Sequence, residues 1–400
     1  MKVLVIGHSS YDISCPVDEY PKENTKYRLD EVYTCGGGPA GNAAFLLGKW
    51  GVETYYAGVV GSDDFGNKIK KEFENIGVHT EYLETNYEKP TSISFVMINK
   101  QNGSRTLFNI AGERPNLKKY EFTIDPDIIL IDGHEYSASI AALNKYPNAI
   151  SIIDAGRITP ELLELCKMTK YVVTSKGFAE TVAKMKFDFA NPNTLVQIYS
   201  AVKNKFPKAE IVITLEDKGC LYAVNNEIKI MPGLKTSAVD TTGAGDIFHG
   251  AFTYAISKGF DLEKCVRYAN ITAGLSIQKI GARLSIPSIT EVSNYYNEKF
   301  PQAGMQQSNV APNTANNIPQ QTSPAVEQPN IAPSPVQETN QTQVAQNIPS
   351  QNIAPQINNQ PVMQQVNQVQ QQPVIDHQQG TVSYAQAMQQ QANVTGNNNG

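Results

Sequence analysis

Ala238-Val239-Asp240-Thr241-Thr242-Gly243-Ala244-Gly245-Asp246-Ile247-Phe248-His249-Gly250-Ala251-Phe252 sets a bare glycine turn and one acid directly in front of an apolar helix. Ile247, Ala251 and Ala255 recur at i, i+4, as do Phe248 and Phe252, and Gly259 supplies the stop. The spacing therefore predicts a buried helix whose N-terminus is the glycine turn. Small residues let backbone N–H groups approach an anion, and the helix end carries partial positive charge. A phosphate fits there. Asp246, in the first turn, stands where a carboxylate can take the proton of a hydroxyl attacking phosphorus. The competing reading is an ordinary glycine turn into a core helix; Asp240, the paired threonines and Asp246 weigh against it.

Two familiar nucleotide motifs are excluded. The nearest approach to a P-loop, Gly41 to Trp50, has the wrong gap and Trp50 where a magnesium-binding hydroxyl belongs. The first strand, Val3–Ile6, is followed by Gly7-His8-Ser9-Ser10-Tyr11-Asp12 and not by Gly-x-Gly-x-x-Gly.

Outward from the glycine turn, short apolar runs alternate with helical stretches. Strands are expected at Val3–Ile6, Tyr55–Val60, Ile128–Ile131, Ile150–Ile153, Tyr171–Val173 and Ile211–Leu215, with helices near 40–50, 67–76 and 161–168. Strands apolar on both faces and separated by helices imply an α/β domain with a mostly parallel sheet flanked by helices. Two regions break the pattern. Tyr27, Leu29, Glu31 and Tyr33 alternate, and Ser92–Asn99 and Arg105–Ile110 flank Gln101-Asn102-Gly103, a hairpin signal. They predict a small antiparallel sheet, about 10–34 and 91–111, read either as a lid that keeps water from a donor phosphate or as a plain insertion.

The chain has 400 residues and a net charge of −5, of which 301–400 carries −3, leaving −2 for the rest. Neither part is suited to nucleic acid. Residues 301–400 are rich in Gln, Asn and Pro and have no Lys, Arg, Phe or Trp; they are read as a disordered tail, either solvated or an interaction arm with no identified partner. The globular domain is placed at 1–300. Cys15, Cys35, Cys166, Cys220 and Cys265 form no C-x-x-C pair, which argues against structural zinc or a disulfide framework. No apolar run is long enough for a membrane span and Met1-Lys2-Val3 leads straight into a strand, so a cytoplasmic enzyme without membrane partners is expected.

A second glycine constellation, Cys35-Gly36-Gly37-Gly38-Pro39-Ala40-Gly41-Asn42, opens another apolar helix through Phe45, Leu46, Leu47 and Trp50. Three consecutive glycines are expected only where backbone turns sharply or lies against something else, and a substrate is one candidate. Asn42 can hold a hydroxyl or cap the helix. Asp12, after the first strand, is a candidate for a second hydroxyl contact.

With both constellations in view, the chain resembles the PfkB, or ribokinase-like, carbohydrate kinases. Gly37 to Ala44 followed by Gly58-x-x-Gly61-x-Asp63-x-x-Gly66 is similar to the family's N-terminal signature, and Asp240 to Phe252 to its C-terminal one. The resemblance spans about 1 to 298 and implies the ribokinase-like fold. It further implies an ATP-dependent sugar kinase, a phosphotransferase with an alcohol acceptor, using ATP and Mg2+. Asp246 then takes the place of the catalytic base, and the backbone of Gly243, Ala244 and Gly245 that of the anion hole. Asp12, Gly38 and Asn42 match substrate positions. Thr214 and Gly219 resemble the nucleotide turn and Asn270 a residue beside adenine. Asp240 and Ser285 match side chains of a K+ site, with Thr242, Ser276, Lys279 and Gly281 in the places that give carbonyls. Members often dimerise through the lid, which implies a homodimer.

Three departures accompany the resemblance. Glu216 stands where the family often has glycine, which puts the phosphate contacts in question. Ser175 and Phe178 occupy the places of Asn and Glu in an Asn-x-x-Glu element that helps to hold magnesium, a variant similar to ketohexokinase-like members, as is Asp132-Gly133-His134-Glu135. Asp132 and His134 either face the sugar or serve structure, and Arg105 and Arg157 either bind the phosphate of a sugar phosphate, or are simply exposed or pair with carboxylates. An unphosphorylated sugar is the favoured acceptor. The alternatives are a nucleoside kinase, with Tyr11, Tyr33 or Phe108 stacking the base, and a non-catalytic interaction protein on a kinase fold.

Overall fold

Val3 to Ile6 are completely shielded from solvent, as an apolar run without alternation requires of an inner strand. The computed structural model describes residues 1–110 and 115–300; residue 111, at the end of the lid reading, and the tail 301–400 lie outside the described residues. The chain opens with β1 (Lys2–Ile6), β2 (Ser10–Val17), β3 (Tyr33–Gly37), α1 (Pro39–Lys49), β4 (Glu53–Gly61), α2 (Asp64–Asn75), β5 (His79–Asn86), β6 (Ile93–Asn99) and β7 (Arg105–Ile110). It continues through β8 (Ile128–Ile131), α3 (Tyr136–Lys145), β9 (Ile150–Ala155), α4 (Pro160–Met168), β10 (Tyr171–Ser175), α5 (Lys176–Ala183), α6 (Pro192–Lys205) and β11 (Glu210–Thr214). The antiparallel β12 (Cys220–Val224) and β13 (Glu227–Met231) lead to α7 (Ala244–Ser257), α8 (Leu262–Ser276) and α9 (Ile289–Lys299).

The main sheet has nine strands in the order β13-β12-β11-β10-β9-β8-β1-β4-β5, parallel from β11 to β5 with the antiparallel pair β12 and β13 at one edge. Because side chains alternate across a strand, Val3 and Val5 enter one core, with α1, α7 and α8, while Leu4 and Ile6 enter the other, with α3 to α6. Phe248 and Phe252 of α7 are buried in the first of these, and each contributes about 1.5–3 kcal/mol by that burial. Among the described residues no helix is long and apolar enough to cross a membrane.

A second sheet, β3-β2-β6-β7, stands apart from the main one. Its outer pairings are antiparallel, whereas β2 and β6 run parallel. The alternating stretch at Tyr27 requires correction: residues 27–32 form no strand and are exposed, and pairing begins only at Tyr33, opposite Ser14. Alternation marks a strand only where a neighbour accepts its apolar side, and past Ser14 the β2 backbone pairs with β6 alone. On β7, Arg105, Leu107 and Asn109 face a cavity shared with the main sheet.

Candidate active site

The parallel strands end at one rim of the sheet, where doubly wound folds hold ligands, and β2, β6 and β7 cover it. Between them is a cavity of about 410 Å3, lined by Asp12, Asn42, Arg105, Asp132, Asp154, Gly243, Gly245 and Asp246, among others. It receives side chains from both glycine constellations.

Gly243 precedes α7 with φ +73°, and a Cβ there would fall 2.6 Å from that of Ala282, so both backbone and space require glycine. Ala244 N–H donates to Thr241 O at 3.3 Å and Ile247 N–H to Gly243 O at 2.8 Å. Gly245 and Asp246 N–H have no backbone acceptor outside the helix among the described residues, an arrangement that, with the helix dipole, suits an anionic ligand. Asn42, buried in the first turn of α1, donates through Nδ2 to Asp246 Oδ2 at 2.8 Å. The two helices come this close because Gly250 of α7 lies against Ala43. Burial, reinforced by the charge of Asp154, pushes the Asp246 carboxyl up to about 7; the Asn42 hydrogen bond, His249 and Arg105 act in the other direction.

Asp154 is the penultimate residue of β9, and burial raises its carboxyl despite His249, whose Nδ1 lies 3.3 Å from Asp154 Oδ2 and 2.6 Å from Gly245 O. Asp132 accepts from the N–H groups of His8, Ala40 and His134 at 2.8, 3.2 and 2.9 Å. Burial opposes its charge, yet His134 and these donors hold its carboxyl well below the usual carboxylate range. Arg157 reaches His134 Nε2. Asp12 accepts from Ser10 Oγ at 2.9 Å, and burial raises it against the pull of Ser10 and Arg283. Tyr11, Tyr33 and Phe108 do not line the cavity, and Tyr11 instead packs on Phe65 with centroids 4.9 Å apart.

The three glycines lie against protein groups. A Cβ at Gly36 would meet Arg283 Nη1 at 2.1 Å, at Gly37 the Asp12 carboxylate at 2.2 Å, and at Gly38 the His8 carbonyl at 2.6 Å. Only Gly38 also lines the cavity.

On the flank of the sheet, Thr214 ends β11 with Oγ1 donating to Thr174 O at 3.3 Å, and Gly219, at φ +92°, turns into β12. Asn270 Nδ2 donates to Pro232 O at 2.7 Å. None of these three lines the cavity. Glu216 adopts φ +58°, the backbone form that glycine takes freely, and its side chain turns to Lys176 Nζ at 3.1 Å. Ser175 Oγ accepts from Phe178 N–H as the cap of α5, and Phe178 is buried near Phe206, so that stretch presents no carboxylate for a magnesium ion.

Asp240 joins the turn before α7 to that after α8. Its Oδ1 accepts from Thr242 N–H and Oγ1 at 2.8 and 2.6 Å, and its Oδ2 from Gly281 N–H at 2.8 Å. Ser285 Oγ donates to Ala282 O at 3.0 Å, the Ser276 carbonyl accepts from Lys279 N–H at 3.1 Å, and Lys279 Nζ turns to Glu291. The β6–β7 hairpin docks on the same turn: Gly103 O accepts from Thr241 N–H and Oγ1 at 3.1 and 3.0 Å, and Arg105 Nη1 donates to Thr241 Oγ1 at 2.8 Å.

Sequence reasoning missed Asp154 and His249, although the former lies one residue from the end of a parallel strand, and Arg283, whose only signal was the pair of crowded glycines, Gly36 and Gly41.

The pfkB family carbohydrate kinase pattern matches residues 1–289. The chain is 25% identical over 299 residues to a ribokinase of Bacillus subtilis, covering 72% of this chain and 97% of that protein. It is equally 25% identical over 299 residues to a nucleoside kinase of Methanocaldococcus jannaschii, covering 73% and 95%. The crystal structure of a ribokinase from Thermotoga maritima superimposes with a TM-score of 0.61 at 27% identity, covering 74% of this chain and 99% of that one.

Proposed function

We propose a function from the premise that this chain belongs to the pfkB family of carbohydrate kinases: it transfers the terminal phosphoryl group of ATP to a hydroxyl of an uncharged sugar. Membership makes it a phosphotransferase with an alcohol acceptor. The observation that carries the finer reading is the Asn42–Asp246 hydrogen bond at the N-terminus of α7, inside a cavity. Asp12, Gly38 and Asn42 orient the sugar, and Asp246 removes the proton of the attacking hydroxyl. The oxygen then forms a bond to phosphorus as the bond to ADP breaks, while Gly243 and Gly245 bring backbone N–H groups to the transferring charge, joined by Ala244 as its 3.3 Å bond to Thr241 O opens. Thr214, Gly219 and Asn270 hold the nucleotide. With Ser175 and Phe178 committed to capping and packing, no step is assigned to magnesium through them.

A monovalent cation such as K+ fits at Asp240 and Ser285 with the carbonyls of Thr242, Ser276, Lys279 and Gly281, where Asp240 already ties the two turns together. The small sheet acts as a lid. Four lining carboxylates, Asp12, Asp132, Asp154 and Asp246, together with walls free of Phe, Tyr and Trp among the described residues, support a polyhydroxyl acceptor over a base that needs stacking. A panel of ketoses, aldoses, sugar phosphates and nucleosides, assayed with ATP and magnesium with and without K+, tests this. Unphosphorylated sugars are expected to react fastest, and faster with K+; a preference for nucleosides overturns the acceptor class, and no turnover with any acceptor overturns the kinase reading.

A further inference from the structure

We propose that Arg283 is the positioning residue of the base, fixing which end of the Asn42 amide meets Asp246. The inference rests on the reading of Asp246 as general base. Arg283 has 1% of its side chain exposed, and each of its three guanidinium nitrogens donates a hydrogen bond. Nε donates to Asn42 Oδ1 at 3.3 Å, Nη1 to Glu72 Oε2 at 2.8 Å, and Nη2 to Ser9 Oγ and Gly37 O at 3.2 and 3.3 Å. It also lies over the Phe73 ring, 4.6 Å from the centroid. The chain is shaped to admit it, since a Cβ at Gly36 or Gly41 would fall 2.1 or 2.8 Å from its nitrogens.

The two ends of an asparagine amide have nearly the same shape and opposite polarity, and the terminal torsion does little to choose between them. A guanidinium has donors only, so the end that Arg283 holds must be the oxygen. The NH2 end is thereby turned to Asp246 Oδ2, where it favours the ionised carboxylate, the form that can take a proton. Asp154 on β9 opposes that form, and His249 on α7 and Arg105 on β7 favour it. Arg283 acts through Asn42, which a double-mutant cycle separates from a general effect of its charge.

The test is the titration of the Asp246 carboxyl by carbon-13 NMR in the full-length protein, with its signal identified by loss in Asp246→Asn. Arg283→Met is expected to raise the midpoint by about one pH unit, about tenfold in proton affinity. In an Asn42→Ala background the same change is expected to move it by about a third of that or less. Arg283→Lys keeps the charge but lacks Nε, and is expected to reproduce most of the shift; it carries the same cycle should Arg283→Met not fold. An unmoved midpoint, or equal shifts in both backgrounds, overturns the proposal. The measurement needs no turnover, so a failure of the kinase reading would show separately in the acceptor panel.

Discussion

As the proposed base, Asp246 meets two opposed demands, since burial and Asp154 favour its neutral form while a base must be charged. Asp246→Asn is expected to lower kcat by about 10²–10⁴-fold with little change in nucleotide binding, read by steady-state kinetics and calorimetry. In the parent protein kcat should fall on acidification through about pH 7, because the protonated carboxyl cannot accept the hydroxyl proton. The stability consequence runs the other way. A folded-state pKa raised above the unfolded one means that the folded protein keeps a proton the unfolded chain has lost, so stability falls as pH rises towards about 7. Asp246→Asn should therefore raise Tm more at pH 8 than at pH 5; an equal rise at both would contradict the shift.

Helices α1 and α7 matter to the site through one close contact. A Cβ on Gly250 would stand 3.1 Å from Ala43 Cα and 3.2 Å from Leu46 Cβ. Gly250→Val should separate the helices, cost about 1–3 kcal/mol by thermal melting, and lower kcat/KM about 10²-fold through a displaced Asn42. Elements of this kind were legible in the sequence. The expected runs Ile128–Ile131 and Arg105–Ile110 coincide with β8 and β7, because apolar runs and a hairpin turn carry their own local signal. The stretch 27–32 was misplaced because alternation cannot say whether a partner strand exists. The position of Asp246 at a helix start was equally local. Arg283 and Asp154 were not legible, because their approach to residues 42 and 249 is created only when distant elements pack.

At the scale of the whole molecule, the described fold closes with α9, whose start carries a capping box from Ser288 and Glu291. The family match ends at 289, ahead of the tail. Deleting 301–400 should leave kcat, KM and Tm unchanged; a loss of activity would assign the tail a part in catalysis. The docking of Gly103 on Thr241 has a kinetic consequence. On the reading of this cavity as the sugar site, the joint between the hairpin and the turn before α7 lies across a way out, so each bound sugar faces a choice between departure and reaction, and those bonds weight it towards reaction. Thr241→Val removes the hydroxyl bonds to Gly103 and Arg105, on the order of 1–2 kcal/mol, and should speed departure about tenfold. In an isotope-trapping chase, a smaller fraction of pre-bound labelled sugar would then be carried to product, and an undiminished fraction would mean that the joint has no hold on commitment.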